Sequence, residues 1–204
     1  VKTVIPYFKK FTKNFKTLDS LSKTSEKKVL KLWEGLGYYR RARNLLAASK
    51  ILVNDYNSKL PMTVKELKTL PGVGDYTANA LLGLVHNQPT IAIDGNVKRV
   101  FSRLINKKEN KINYDLLIET NKTKLFNSKR NSDFVEALME IGDLVCKPKD
   151  PICDICSLNK NCKYFNASRQ VKSSKSKKIE NKSNYVFIYL KTIKQIDITK
   201  KNNI

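Results

Sequence analysis

Apolar residues recur at helical spacing from about residue 26 to residue 145. Val29, Leu30 and Trp33 form one stripe, ended by Gly35 and Gly37. Ala42, Leu45, Leu46, Ser49, Leu52 and Val53 form a second, and Val97, Val100, Phe101, Leu104 and Ile105 a third. Phe134, Ala137, Leu138, Ile141 and Val145 form a fourth, which runs straight into Cys146. Spacing of three and four is the signature of a helix that buries one face, so these stripes are read as core. No period-two alternation precedes residue 165, and the body is expected to be all-α.

The stretch LPGVGDYTANALLGL, residues 70–84, lies between the second and third stripes. Upstream, Thr63 and Glu66 have capping-box spacing, and Val64, Leu67 and Leu70 share a face. Pro71 makes continuation costly, because it lacks an N–H and restricts the residue before it. Downstream, Ala78, Leu81, Leu82 and Val85 repeat at helical spacing, with Asp75 as the expected N-cap. Gly72 and Gly74 therefore fall in a tight hairpin between two helices.

The pattern changes after residue 165. Residues 166–183 are polar and Ser/Lys-rich and read as a linker. NYVFIYL is then a short β-prone run, and KQIDIT alternates as a strand does. Two strands do not hold an independent sheet, so residues 184–204 are expected to open a β-containing domain that the chain cuts off, with a terminal hairpin docked on the helical body as the alternative. Val1 to Phe8 read as the middle of an element, and sequence is expected to be missing before them.

Length and composition narrow the partners. The 204 residues suffice for one sizeable core and part of a second domain. Forty Lys and Arg against eighteen Asp and Glu leave a net charge of +22, which favours a polyanion, nucleic acid above all, over a merely solvated lysine-rich surface. No apolar run approaches the roughly 18–20 residues of a membrane span, and no signal peptide is visible. The four cysteines all lie between 146 and 162, and that clustering favours metal ligation over a disulfide framework.

Three places carry candidate chemistry. Hairpin glycines let backbone N–H groups approach a ligand, and a helix N-terminus just behind them suits a phosphate; an ordinary αα-corner is the alternative. In AIDGNVKRVFSRL, Asp94 and Asn96 precede the stripe that begins at Val97. A carboxylate at a helix N-terminus is stabilised in its charged form, typically by about 0.3–1 kcal/mol when exposed. It suits stabilising a developing cation rather than donating a proton, although capping alone is its ordinary role. The spacing Cys146-x6-Cys153-x2-Cys156-x5-Cys162 admits tetrahedral zinc or a 4Fe–4S cluster, and only one C-x2-C pair is present where zinc sites more often use two.

Taken together, L-P-G-V-G before a helix, D-G-N-V-K-R about twenty residues on, and the cysteines following ALMEIGDLVC resemble the helix-hairpin-helix base-excision DNA glycosylases over residues 1 to about 165. Within them the chain is most similar to the adenine DNA glycosylase (MutY) family. GLGYYRRARNL at 35–45 has that family's form, and the β-prone start after a basic linker resembles the entrance to its Nudix-like C-terminal domain. Tyr76 stands where the bifunctional glycosylase-lyases place a Schiff-base lysine, and a phenol cannot form that imine.

The resemblance implies a helical glycosylase core over 1–145 lacking its N-terminal part, a 4Fe–4S loop at 146–165, a linker at 166–183 and the start of a truncated domain at 184–204. The implied ligands of the cluster are Cys146, Cys153, Cys156 and Cys162, and Lys147, Lys149, Lys160 and Lys163 would make their loop cationic. The implied reaction is monofunctional hydrolysis of the N-glycosidic bond of an extruded adenine mispaired with 8-oxoguanine or guanine. Asp94 would stabilise or trap the oxocarbenium-like sugar, and Asn96 and Tyr76 would position the carboxylate and leaving group.

Tyr38 would wedge into the duplex with Leu36 nearby, and Arg40, Arg41, Arg43 and Lys98 would contact the DNA backbone. The N–H groups of Gly72, Val73 and Gly74 would hold a phosphate, and the carbonyls of Lys68, Leu70 and Val73 an alkali-type cation. The family's general acid lies on a helix preceding the match to Val1; Glu34 and Glu140 are the nearest acidic residues and match structural segments. Tyr39, Met62, Met139 and Trp33 are read as packing, and His86 as a capping or surface residue. The expected partner is double-stranded DNA, bound by a monomer in a bacterial cytoplasm at the nucleoid, with no membrane association. The competing readings are an endonuclease III-type glycosylase-lyase for oxidised pyrimidines and a non-catalytic DNA-binding module.

Overall fold

Helix signals in the first third of the chain are realised locally. The computed structural model describes residues 3–126 and 129–171. The chain divides into two units, 1–78 and 79–204, with the boundary inside a helix. In the first unit, α1 (Ile5–Asn14) carries Pro6 in its opening turn, where a missing N–H costs nothing. In α2 (Leu18–Ser22), Thr17 Oγ1 accepts from the Ser20 N–H while Ser20 Oγ accepts from the Thr17 N–H. Ser25 caps α3 (Glu26–Trp33), α4 spans Tyr39–Asp55, and α5 is the single turn Val64–Leu67.

The core of this unit joins Phe15, Leu21, Val29, Leu32, Ala42 and Leu46, with Phe11 edge-on to Phe15 at 4.9 Å and to Trp33 at 6.1 Å. Four expectations change here. Leu70 lies beyond α5, held by i→i+3 bonds rather than in a longer helix. Leu45 is exposed although its stripe is otherwise buried or half-buried, as single apolar side chains on soluble helices often are. Tyr39, expected in the core, is 40 % exposed because it opens α4 and projects from its first turn. Met62, expected to pack, is 58 % exposed in the loop just before the Thr63 cap.

Helix α6 (Asp75–Leu84) crosses the boundary, and α7 (Gly95–Ile105) is the centre of the second unit. Around it lie α8 (Tyr114–Thr120), α9 (Lys122–Leu125), α10 (Asn131–Glu140) and α11 (Lys163–Val171). Val97, Val100, Phe101 and Leu104 of α7 share a core with Leu125 and with Phe134, Val135 and Leu138. Among the described residues there is no strand, as the pattern requires.

Asp75 is the first residue of α6 rather than its N-cap; the Gly74 carbonyl accepts the Ala78 N–H at 2.9 Å, as a cap's does. The fourth stripe is not one regular helix. After Glu140 the chain widens into a π turn, Ile141–Val145, and the Cys146 N–H bonds to the Ile141 carbonyl at 2.6 Å. The expected linker also begins late, because α11 extends over 166–171. The remainder of that linker and the β-prone stretch at 184–204 lie outside the described residues.

Candidate active site and nucleic-acid interface

The hairpin belongs to the first unit and is locked by Gly72. Its φ is +81°, and a Cβ there would meet Asn44 Nδ2 at 2.6 Å and Asn44 Cβ at 2.9 Å, so only glycine fits. Gly74 has ordinary backbone and nothing within 4 Å of a built Cβ, which leaves open space in front of the turn. The Val73 N–H, expected on a phosphate, is already bonded to the Leu70 carbonyl at 3.1 Å. Behind it lies the N-terminus of α6, whose aligned peptide dipoles favour an anion. Lys68 Nζ lies 2.6 Å from Asp75 Oδ1 across the hairpin. Exposed as it is, that pair adds little stability, but it neutralises a carboxylate that would repel an anion. Tyr76, the second residue of α6, is exposed.

The segment before α4 presents an aromatic ring outward. Gly35 and Gly37 have φ of +89° and +74°, and Tyr38 follows at φ 51°, ψ 49° as the N-cap of α4. A left-handed tyrosine is strained by about 1–2 kcal/mol. It is also 81 % exposed, with the Arg41 guanidinium 5.1 Å above its ring. Trp33 fixes the approach by donating from Nε1 to the Gly37 carbonyl at 3.0 Å, and Leu36 is half-buried beside it. Arg40 and Arg41 are exposed, whereas Arg43 is paired to Glu26 Oε1 at 2.8 Å, which offsets its charge.

In the second unit, Asp94 caps α7. Its Oδ1 accepts the Val97 N–H at 2.7 Å, and its Oδ2 accepts from Asn96 Nδ2 at 3.3 Å. Capping therefore occupies one oxygen and orients the other. Asn96 is itself held: its Oδ1 accepts from Arg99 Nη2 at 2.7 Å, and Arg99 also donates to the carbonyls of Gly142 and Cys146 at 2.7 Å each. Gly142 must be glycine, because a Cβ there would lie 2.7 Å from Asn96 Cβ and 3.1 Å from its carbonyl oxygen.

Sequence reasoning passed over Arg99, Arg103 and Gly142. The available signals were two arginines four apart on α7 and a lone glycine inside a helical stripe. Lys98 is exposed, with Nζ 5.9 Å from the Tyr114 ring. His86 is half-buried rather than on the surface, and its buried Nε2 has no hydrogen-bond partner among the described residues.

All four cysteines are free, half-buried and line one recess of about 290 Å³, counting space open to solvent, together with Arg103, Tyr164 and Phe165. Burial pushes the thiols of Cys153 and Cys162 up and that of Cys156 to about 11, with neighbouring thiols adding to each shift. Thiolates gathered there call for a positive centre. Among the described residues no three His, Cys, Asp or Glu side chains are gathered closely enough to hold one metal ion. Four soft donors lining one recess are a donor set that zinc and an iron–sulfur cluster both take. Lys147, Lys149, Lys160 and Lys163 are exposed around it. No helix among the described residues is long and apolar enough to cross a membrane.

Residues 1–124 match the HhH-GPD superfamily of base excision DNA repair proteins. The chain is 37 % identical over 207 residues to the adenine DNA glycosylase of Buchnera aphidicola subsp. Baizongia pistaciae (strain Bp), covering 100 % of this chain and 59 % of that protein. It is 35 % identical over 166 residues to the human adenine DNA glycosylase, covering 80 % of this chain and 30 % of that protein. The chain thus spans little more than half, or less, of the length of these relatives. Among solved structures, a thermostable thymine-DNA glycosylase superposes with a TM-score of 0.68 at 27 % identity over 80 % of this chain and 76 % of that one. A trapped endonuclease III–DNA covalent intermediate superposes at 0.63 and 25 % over the same shares. With its helices, hairpin and capped aspartate in place, the chain belongs to the HhH-GPD superfamily of base excision DNA repair proteins.

Proposed function

We propose that the chain is the glycosylase portion of an adenine DNA glycosylase, hydrolysing the N-glycosidic bond of adenine opposite 8-oxoguanine or guanine in double-stranded DNA. The observation that carries this reading is the Asp94 carboxylate, half-buried and fixed through one oxygen by Val97 and through the other by Asn96. As the bond from sugar to base breaks and its electron pair leaves with the adenine, positive charge grows on the sugar. A preoriented carboxylate stabilises that charge or traps it covalently until water adds. Asn96 keeps the carboxylate aimed. Tyr76 offers a phenol where a lyase needs an amine, which supports hydrolysis without strand cleavage. Glu34 and Glu140 are exposed, and neither is assigned the proton for the departing base.

The remaining parts hold DNA. Tyr38 enters the duplex beside the mispair with Leu36 behind it, and Arg40, Arg41, Lys98 and, more weakly, Arg43 meet phosphates. Gly72 and Gly74 shape a hairpin whose helix N-terminus receives another phosphate, with an alkali-type cation on the carbonyls of Lys68, Leu70 and Val73. Cys146, Cys153, Cys156 and Cys162 would hold a 4Fe–4S cluster, which when bound supplies a rigid centre for the surrounding lysines. The protein would act on the bacterial chromosome in the cytoplasm.

The test is a labelled duplex with one adenine opposite 8-oxoguanine, incubated with the full-length protein. Adenine release with an intact strand until alkali treatment is expected. Asp94→Asn is expected to bind the duplex but release adenine about 100-fold more slowly or worse. A borohydride-trapped adduct would favour the endonuclease III-type reading, and an unchanged Asp94→Asn rate would favour a binding module.

A further inference from the structure

We infer that Arg103 is a positioning residue for the iron–sulfur cluster, holding the loop of its first cysteine and tuning the cluster's electron affinity through the Cys146 sulfur. The inference rests on the cluster reading above. Arg103 stands on α7, where the neighbouring Val100 and Leu104 are buried, so its backbone is anchored in the core. From there one Nη1 donates to Cys146 Sγ at 3.3 Å and to the Lys147 carbonyl at 2.7 Å, while Nη2 donates to the Pro148 carbonyl at 3.0 Å. The same guanidinium lies over the Tyr164 ring, its Cζ 5.4 Å from the centroid. Its own carbonyl lies 3.5 Å from Cys162 Sγ.

One residue thus touches the chain on both sides of the recess, at the first and the fourth cysteine. A planar fork satisfies two carbonyls and a sulfur together, which an ammonium on a flexible stem cannot do. Hydrogen bonds to ligand sulfurs set reduction potential, and a cation donating to sulfur favours the more negative, reduced form. Partners of this kind, one shell out from the metal, also govern how well it is retained.

The test compares the unchanged chain with Arg103→Lys and Arg103→Gln, all purified anaerobically. It reads iron and sulfide content, the rate of iron loss to a chelator in air, and the reduction potential by film voltammetry. Arg103→Gln is expected to lose iron about tenfold faster or more and to show a lower potential. Arg103→Lys is expected to keep a potential nearer the unchanged chain while losing iron at an intermediate rate, and it decides the matter if the Gln variant folds poorly. Equal potentials overturn the sulfur role even if iron is lost faster, because a mere clasp on the loop shortens lifetime without moving the potential. Absence of iron from the unchanged chain would instead overturn the cluster reading, and this inference with it.

Discussion

Gly72 and Gly74 stand one residue apart and need glycine for different reasons. Gly72→Ala forces a side chain into left-handed backbone and against Asn44 Cβ, and should destabilise the chain by about 2–5 kcal/mol in urea unfolding. Gly74→Ala meets nothing and should change stability by less than about 1 kcal/mol. Its effect should appear as weaker duplex binding. The string L-P-G-V-G announced a turn, but two glycines in a sequence look alike until Asn44 is known to fill the space above the first. Tyr38 presents the converse case. Tyr38→Gly relieves a strained backbone and should leave stability unchanged or raise it by about 1 kcal/mol. Binding to mispaired duplex should fall; a loss of stability would instead place Tyr38 in the fold.

Helix α7 was legible because its apolar stripe and its aspartate cap are local signals, spaced within a few residues. What surrounds it was not. The π turn at Ile141–Val145 depends on Gly142 lying against Asn96, and Arg99 bonds groups more than forty residues away; neither leaves a periodic trace. Arg99→Gln removes the charged donor from four acceptors and should cost about 1.5–3 kcal/mol in thermal unfolding. Because it also frees Asn96, adenine release should fall at least about tenfold while duplex affinity changes little. If affinity falls as steeply as the rate, Arg99 acts by holding the fold rather than by aiming Asp94. The tail of the body was misjudged for a related reason: the Ser/Lys-rich composition that signals a linker overlaps a helix whose start is set by Cys162, through the Asn166 N–H bond to its carbonyl at 3.0 Å.

Across the whole molecule, a net charge of +22 makes salt the most direct probe of the interface. Duplex affinity should fall on a log–log plot with a slope of about −0.9 per phosphate neutralised. Arg40→Ala or Lys98→Ala should each reduce that slope by about 1, and Arg43→Ala by less, because Glu26 already offsets its charge. A slope unmoved by Arg40 and Lys98 would remove both from the footprint. Composition revealed the sign and size of this charge but not its aim, since the lysines between 147 and 163 face wherever the cysteine loop points. That direction is set by the widened turn before Cys146. A π turn accommodates one surplus residue, whereas the same five residues wound as plain α-helix would carry Cys146 about 100° further round the axis. The swelling is a stored insertion: a shortened chain with one residue removed there should run straight and still deliver its cysteine, with the lysines behind it, to the same bearing.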